Sequence, residues 1–179
     1  NMMEVLARNY TRNIDSVMAF EIGNTFMESM MGPDQLPDEQ YSLCIGMYGK
    51  DADFFTLKGI IEELLSKLGI DGYKFIAESE YGVYHPGRCA RIVAHHLREL
   101  ENGPVIEEVE LGIMGEVHPE VADKYGIGTR CYAAELMFNT VTELSDLEKV
   151  FAPLPKYPAT SRDIALLVDE DVMVGDIEN

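Results

Sequence analysis

The chain has 179 residues, of which 46% are hydrophobic, and its 14 basic and 32 acidic side chains give a formal net charge of -18. This length and composition predict a globular protein with one ordinary domain and exclude a disordered chain. Because affinity for nucleic acid rests on cationic contacts to phosphates, the chain alone is expected to repel RNA. No apolar run approaches the roughly 18 residues of a membrane helix, and no signal peptide is evident, which predicts a cytoplasmic protein.

Hydrophobic periodicity predicts helices and strands along most of the chain. In chain order they are a helix at 2–9, strands at 17–26 and 41–49, a helix at 57–68, strands at 72–78, 89–96 and 107–117, a helix at 119–126 and a strand at 129–138. Asp53 suits the N-cap of the second helix, Glu63 and Lys67 have ion-pair spacing, and Gly69 follows its end. Since most connections are hairpin-sized, we predict an α+β domain with a largely antiparallel sheet flanked by helices.

The end of the chain has the pattern of a second domain. Three prolines within 151–158 indicate a linker, and the apolar run Ile164–Val168 predicts a buried strand. A single strand cannot bury its own apolar side chains, so we expect the second domain to be cut short. The first helix is expected to lack its beginning, so both ends of the chain look trimmed. We predict a first domain at 1–150, a linker at 151–157 and the start of a second domain at 158–179. The uncovered strand is expected to pair with a second copy of the chain or to fold back.

The most enzyme-like stretch is "YHPGRC", in which His85 precedes a Pro-Gly turn and Arg88 follows it. These two side chains could present an acid/base group together with an anion clamp. The alternative is a tight turn leading into a strand, in which both side chains make local hydrogen bonds. His118 is followed by Pro119, which suits the first turn of a helix, so it is expected to start a helix rather than to catalyse a reaction.

Residue chemistry alone predicts no catalytic residue and no metal ligand. His95 and His96 are adjacent, so on a strand they face opposite sides and cannot chelate one metal in the usual way. The three cysteines are odd in number and lack a CxxC pair, which indicates reduced thiols that mostly pack: Cys44, Cys89 and Cys131. Neither a phosphate-binding glycine loop nor a GxSxG nucleophile elbow occurs.

Seven segments, taken in order, resemble the C-terminal region of the phenylalanyl-tRNA synthetase beta subunit and cover nearly the whole chain. They are EVLARNYTRN, FEIGNTF, FFTLKGIIEELLSKLGI, HPGRCARI, LGIMGEVHPEVADKYGI, AAEL and KYPATSRDIALLVDEDV. The resemblance implies a catalytic-like domain with a class II aminoacyl-tRNA synthetase core, joined to the first strand of a ferredoxin-like anticodon-binding domain. The acidic excursion at 97–110 replaces the tight hairpin that is common in the family.

The resemblance implies a non-catalytic role. Class II enzymes continue a strand similar to FEIGNTF with an Arg and a Glu that grip ATP, and here Met27 and Ser29 occupy those positions. The family implies an (αβ)2 heterotetramer that charges tRNA(Phe) with phenylalanine using ATP and Mg, in which this chain scaffolds the alpha subunit and helps position tRNA. Two alternatives stay open: a stand-alone acid/base enzyme using His85 and Arg88, and an acidic protein-interaction domain.

Overall fold

The computed structural model describes residues 1–27, 36–100, 103–148, 151, 156–157, 159–169, 172 and 177, without the side chains of 97–100 and 104. The chain divides into two compact units, 1–148 and 149–179. The elements of the first unit are α1 Met2–Thr11, β1 Val17–Met27, β2 Asp38–Tyr48, α2 Phe54–Lys67, β3 Tyr73–Ala77, β4 Tyr84–Leu100, β5 Gly103–Val117, α3 Pro119–Lys124, β6 Cys131–Met137 and α4 Phe138–Leu144.

The strands form one six-stranded sheet in the order β1-β2-β6-β5-β4-β3, and every neighbouring pair is antiparallel. The predicted α+β class and the predicted antiparallel sheet are therefore confirmed. The final strand of the unit, β6, is inserted between β2 and β5 in the middle of the sheet. At one edge, β1 pairs with β2 over all of its eleven residues without a register shift.

The sheet carries helices on both faces because the strand side chains alternate in direction. On one face, α2 buries Leu57, Ile61 and Leu65 in a core that also includes residues of α4. On the other face, Met2 and Leu6 of α1 pack in a second core with residues of α3. The helical spacing read from the sequence thus predicted both longer helices, and of the apolar face that it assigned to α2, from Leu57 to Leu68, only Ile60 is exposed.

The start and end of α2 match their predicted signals. Oδ1 of Asp53 accepts a hydrogen bond from the Thr56 backbone N–H at 2.6 Å, which satisfies one of the orphan donors of the first turn. Lys67 lies 2.9 Å from Glu63, as the i,i+4 spacing predicted. Helix α4 was not predicted, because its sequence FNTVTEL is rich in weak helix formers and has no side-chain cap.

Strands β4 and β5 extend well beyond their neighbours. β3 pairs with residues 90–94 of β4, and β6 pairs with residues 112–116 of β5. In the part of the chain that the structure describes, residues 95–100 and 103–108 pair with one another as a two-stranded arm. The acidic excursion at 97–110 is thus an extension of the β4–β5 hairpin and includes the exposed side chains of Glu107, Glu108 and Glu110.

The structure of the second unit contradicts the strand predicted near the end of the chain. Residues 159–169 lie outside helices and strands, so the strand predicted at Ile164–Val168 is wrong, and side chains such as Leu167 are exposed. A strand requires a neighbour for its backbone hydrogen bonds, and the apolar run by itself does not supply one. Most of the linker predicted at 151–157 lies outside the described residues. The proposed domain limits and the pairing with a second copy stay predictions.

Candidate functional site

The HPGR stretch forms a bulge at the start of β4. Tyr84 pairs with Val117 and Cys89 pairs with Gly115, so the four residues His85–Arg88 lie opposite the single residue Glu116. Such a bulge suits a proline, which has no backbone N–H for a sheet hydrogen bond. Nδ1 of His85 accepts a hydrogen bond from the Gly87 N–H at 3.1 Å. The His85 side chain therefore helps to fold the bulge locally.

A buried carboxylate fastens this bulge to the sheet. The side chain of Glu116 is 4% exposed, and its Oε2 lies 2.9 Å from Nη1 of Arg88. Its other oxygen, Oε1, lies 3.8 Å from Nε of Arg130, directly before β6. A buried charge is tolerated when it is paired, and here both carboxylate oxygens face a guanidinium group. The three residues thus connect the ends of β4, β5 and β6.

The surroundings of Glu116 favour a structural role over proton transfer. Burial, and then the nearby Glu116 carboxylate, raise the pKa of the Cys131 thiol to about 11 and also raise the pKa of Tyr132. A cavity of about 210 Å³ lies beside Glu116 and is bounded by residues of α3 and by the segment 127–130. Neither His85 nor His118 lines it. The carboxylate of Glu116 is held by two arginines, so the arrangement orients the segment before β6.

His118 starts α3, as predicted. Its Nδ1 accepts a hydrogen bond from the Glu120 N–H at 3.2 Å, and its backbone N–H donates to the Val83 carbonyl at 2.9 Å. The structure thus brings all three candidates, His85, Arg88 and His118, to the same end of the β4–β5 pair. Sequence reasoning missed Glu116. The pattern that could have found it is strand alternation. Glu116 lies two positions after the buried Met114 on β5, so the two side chains lie on the same face of the strand.

The end of the β1–β2 hairpin, where a class II enzyme would hold ATP, contains no cation among its described residues. Met27 is exposed and pairs with Asp38, while Ser29 lies outside the described residues. The sequence has no Lys or Arg between Arg12 and Lys50. An acidic hairpin end of this kind repels phosphate groups.

The other ionisable side chains considered in the sequence are two histidines and two thiols: His95, His96, Cys44 and Cys89. Within the described part of the chain, no three His, Cys, Asp or Glu side chains are close enough to hold a metal ion. His95 lies opposite Glu108 in the β4–β5 arm, and His96 lies opposite Glu107. Burial also raises the pKa of the Cys44 and Cys89 thiols to about 11, which makes both poor nucleophiles at neutral pH.

One apolar surface remains on the sheet face that carries α2. Met18, Phe20 and Ile22 of β1 are exposed, whereas their cross-strand partners on β2 are buried. With Ile60 and Leu64 of α2 they line a groove of about 340 Å³, which we call the β1–α2 groove.

Comparison with known proteins points to one family. Residues 1–138 match a family model described as the phenylalanyl tRNA synthetase beta chain CLM domain. The chain is 40% identical over 179 residues to the phenylalanine-tRNA ligase beta subunits of Clostridium tetani and Clostridium acetobutylicum, with all of the chain and 21% of each relative covered. It is 32% identical over 188 aligned positions to that of Symbiobacterium thermophilum, with 99% of the chain and 19% of the relative covered.

The chain thus spans about a fifth of the length of these relatives. No helix of the described residues is long and apolar enough to cross a membrane. The family model covers more than three quarters of the chain, including all six strands of the sheet. The chain therefore belongs to the family of the phenylalanyl-tRNA synthetase beta chain CLM domain.

Proposed function

We propose that this chain is part of the beta subunit of a phenylalanine-tRNA ligase, the enzyme that joins phenylalanine to tRNA(Phe) at the expense of ATP. The observation that carries the proposal is the family match over residues 1–138. It is supported by the alignment of the whole chain with relatives that are named phenylalanine-tRNA ligase beta subunit. A translation enzyme of this kind works in the cytoplasm.

Within that enzyme, the chain acts as a non-catalytic scaffold that holds the alpha subunit in an (αβ)2 assembly and helps to orient tRNA(Phe). ATP and Mg bind elsewhere in the holoenzyme, because the hairpin that would grip ATP has Met27 opposite Asp38. The contacts of His85 and Arg88 in the bulge of β4 also support a non-catalytic role. Arg88 is paired with Glu116, and Nδ1 of His85 is engaged with the backbone of Gly87. These contacts disfavour the stand-alone acid/base enzyme.

The domain assignment belongs to the same proposal. Residues 1–150 form a class II synthetase-like core, 151–157 a linker, and 158–179 the start of a ferredoxin-like anticodon-binding domain. An antiparallel six-stranded sheet with helices on both faces supports the first assignment. The division of the chain after Glu148 supports a boundary close to the linker.

Co-purification with the synthetase alpha subunit tests the scaffold role. The tagged chain, co-expressed with the alpha subunit of the same organism, is expected to retain it through gel filtration. An Ile61→Asp chain is the control, since Ile61 is fully buried and a charge there disrupts the core. Retention of the alpha subunit by the control alone, or by neither chain, contradicts the proposal.

A second measurement separates the scaffold from the enzyme. His85→Ala and Arg88→Met are introduced into a full-length beta subunit, and aminoacylation is measured with the assembled holoenzyme. A scaffold predicts a kcat within about twofold of wild type once assembly is confirmed. A loss of about 100-fold or more with intact assembly, the size expected for removal of a general acid or base, would favour the acid/base role.

A further inference from the structure

The two edge strands of the sheet differ in how well they are protected. At one edge, β3 has only five residues, and none of its large apolar side chains is exposed. At the other edge, β1 has eleven residues and pairs with β2 over its whole length without a bulge. Natural proteins shield the backbone N–H and C=O groups of a long edge strand with lysine, proline or a bulge. The strand β1 contains none of these three devices.

The outer edge of β1 carries a row of exposed apolar side chains. Among the described residues, β2 is the only strand that neighbours β1. The side chain of Phe20 is 72% exposed and that of Phe26 is 64% exposed, although both residues are paired with β2. The exposed large apolar residues of β1 are Met18, Phe20, Ile22, Phe26 and Met27. A long, unbroken edge of this composition is a template for the addition of one more strand.

The strand β1 is complementary to itself in the antiparallel direction. Ile22 is its middle residue, so a two-fold axis at Ile22 pairs all eleven residues of one copy with all eleven of a second copy. On the face that carries α2, Met18 then lies opposite Phe26 of the second copy. On the other face, Val17 lies opposite Met27 of the second copy. Apolar side chains directly opposite each other stabilise an antiparallel strand pair.

Charge favours this register over its neighbour. Glu21 is the one charged side chain in the sequence of β1, and with the axis at Ile22 it lies opposite Gly23 of the second copy. With the axis at Glu21 instead, two glutamates would face each other directly, which destabilises a strand pair. The formal net charge of -18 on each copy opposes association at longer range. Added salt screens that repulsion, so it is expected to strengthen association.

We propose that two copies of the chain associate through β1, in antiparallel register about a two-fold axis at Ile22, so that their six-stranded sheets become one continuous sheet. The two β1–α2 grooves then lie side by side on the same face of that sheet, with the apolar rows of both copies in contact. This inference goes beyond the proposed function and does not depend on it, because no other protein takes part.

Engineered disulfides test the register. With the axis at Ile22, two cysteines at position 22 have Cα atoms about 4.5–5.5 Å apart, which a disulfide can span. Two cysteines at position 20 are four residues out of register and therefore about 14 Å apart along the strands, which a disulfide cannot span. The native cysteines are buried or half-buried and give little background.

Ile22→Cys is expected to form a covalent dimer on non-reducing electrophoresis after incubation with oxidised glutathione, which takes up the two electrons and is reduced to two thiols. Phe20→Cys, the matched control, is expected to remain a monomer on the same gel. Equal yields of covalent dimer from both variants, or no covalent dimer from Ile22→Cys, overturns the proposal.

Charge at position 23 supplies a second test. A Cβ on Gly23 would meet only the Glu21 carboxylate, at 3.9 Å, so the position tolerates a side chain. Gly23→Lys places a cation opposite Glu21 of the second copy, and Gly23→Glu places an anion there. In sedimentation equilibrium, the dimer dissociation constant is expected to fall at least about threefold in the first variant and to rise at least about threefold in the second.

Ile106→Lys and Ile106→Glu are the matched controls, because they change the net charge of the chain equally on the exposed β4–β5 arm. Each should alter the dissociation constant less than about twofold, since that charge is screened from the interface. Folding of every variant is verified by circular dichroism. Equal effects of Gly23→Lys and Gly23→Glu contradict the proposal, because pairing through β1 must distinguish the sign of the charge.

A wild-type chain that stays monomeric at every soluble concentration also overturns the proposal, and leaves the edge of β1 to a strand of a different protein. Binding of the alpha subunit plays no part in these measurements. Their failure therefore leaves the proposed function standing, and failure of the proposed function does not alter their expected results.

Discussion

The guanidinium of Arg88 lies 2.9 Å from the carboxylate of Glu116, and the two partners differ sharply in exposure. The side chain of Glu116 is 4% exposed, and that of Arg88 is 42% exposed. Removing Arg88 leaves a buried carboxylate with only the more distant Arg130 beside it. Neutralising Glu116 leaves an arginine that water can solvate. The two changes are therefore not equivalent in free energy, although they break the same contact.

We expect Arg88→Met to lower the free energy of unfolding by about 2–4 kcal/mol and Glu116→Gln by about 1 kcal/mol. Urea denaturation followed by circular dichroism measures both values. Arg91→Met is the control, because Arg91 pairs with the more exposed Glu78 and Glu110 at 3.3 and 3.5 Å and should cost less than about 1 kcal/mol. A larger cost for Glu116→Gln than for Arg88→Met would contradict the proposed asymmetry.

Gly69 and Gly72 form a second matched pair. Both have a left-handed backbone, with φ of 71° and 69°. A Cβ on Gly69 would meet the backbone oxygen of Asp146, whereas a Cβ on Gly72 would meet nothing within 4 Å. Gly72→Ala is thus expected to cost only the backbone term of about 1 kcal/mol, and Gly69→Ala about 3 kcal/mol because the backbone must also move. If both variants lower the free energy of unfolding equally in urea denaturation, the backbone around Asp146 moves away from the new Cβ without a free-energy cost.

Much of the fold could be predicted because periodicity reports burial. The helical spacing of six apolar residues between Leu57 and Leu68 identified α2, and Asp53 identified its start, since these signals are local. Helix α4 was missed because its residues form a helix through packing of Val141 rather than through propensity. The strand predicted at Ile164–Val168 failed for the complementary reason. An apolar run predicts burial only when other elements cover it.

The candidate site was less predictable because its contacts are long-range. His118 could be assigned to the start of α3 from the following proline, which is a local signal. The partner of Arg88 could not be assigned, since Glu116 is 28 residues away and reaches it only through the register of β4 and β5. The way in which two strands pair cannot be determined from one sequence alone. The same limit hid the β1–α2 groove, which depends on how far α2 extends across the sheet.

The three thiols are expected to react slowly in the folded chain. Burial raises the pKa of Cys44, Cys89 and Cys131 to about 11. At pH 8, the thiolate fraction of such a group is roughly 100-fold lower than that of a free cysteine with a pKa of about 8.5. Reaction with Ellman's reagent should therefore be at least about tenfold slower without denaturant than in guanidinium chloride, because the higher nucleophilicity of a high-pKa thiolate offsets only part of its lower abundance. A thiol that reacts at the same rate in both conditions would refute its burial.

The N-cap of α2 predicts a stability difference that depends on pH. The Thr56 backbone N–H donates to Asp53 and lowers the pKa of that carboxyl. Because the folded-state pKa is the lower one, the stabilisation is present above the unfolded pKa of about 3.9 and is lost as the pH falls through the folded value. Asp53→Ala should lower Tm by about 2–4 °C at pH 7. The difference from wild type should shrink below about pH 4.

Asp71→Ala is the control for that measurement. Asp71 is exposed and precedes β3, outside any helix cap. Its Tm is expected to stay within about 1 °C of wild type at pH 7, as for most surface substitutions. A Tm difference between wild type and Asp53→Ala that stays constant from pH 7 to pH 3 would show that the carboxylate charge does not matter to the cap.

The last prediction concerns ATP. The isolated chain is expected to show no micromolar affinity for ATP and Mg²⁺ in calorimetric titration, because a nucleotide triphosphate requires cationic or backbone donors around its phosphates. At the β1–β2 hairpin, Met27 stands opposite Asp38, and Phe26 stands opposite Glu39. Met27→Arg is an informative companion, since the new guanidinium would be neutralised by Asp38 across the strand pair. Restored micromolar binding in that variant would mean that one missing cation is the whole defect, and micromolar binding by the wild-type chain would contradict the loss of the ATP clamp.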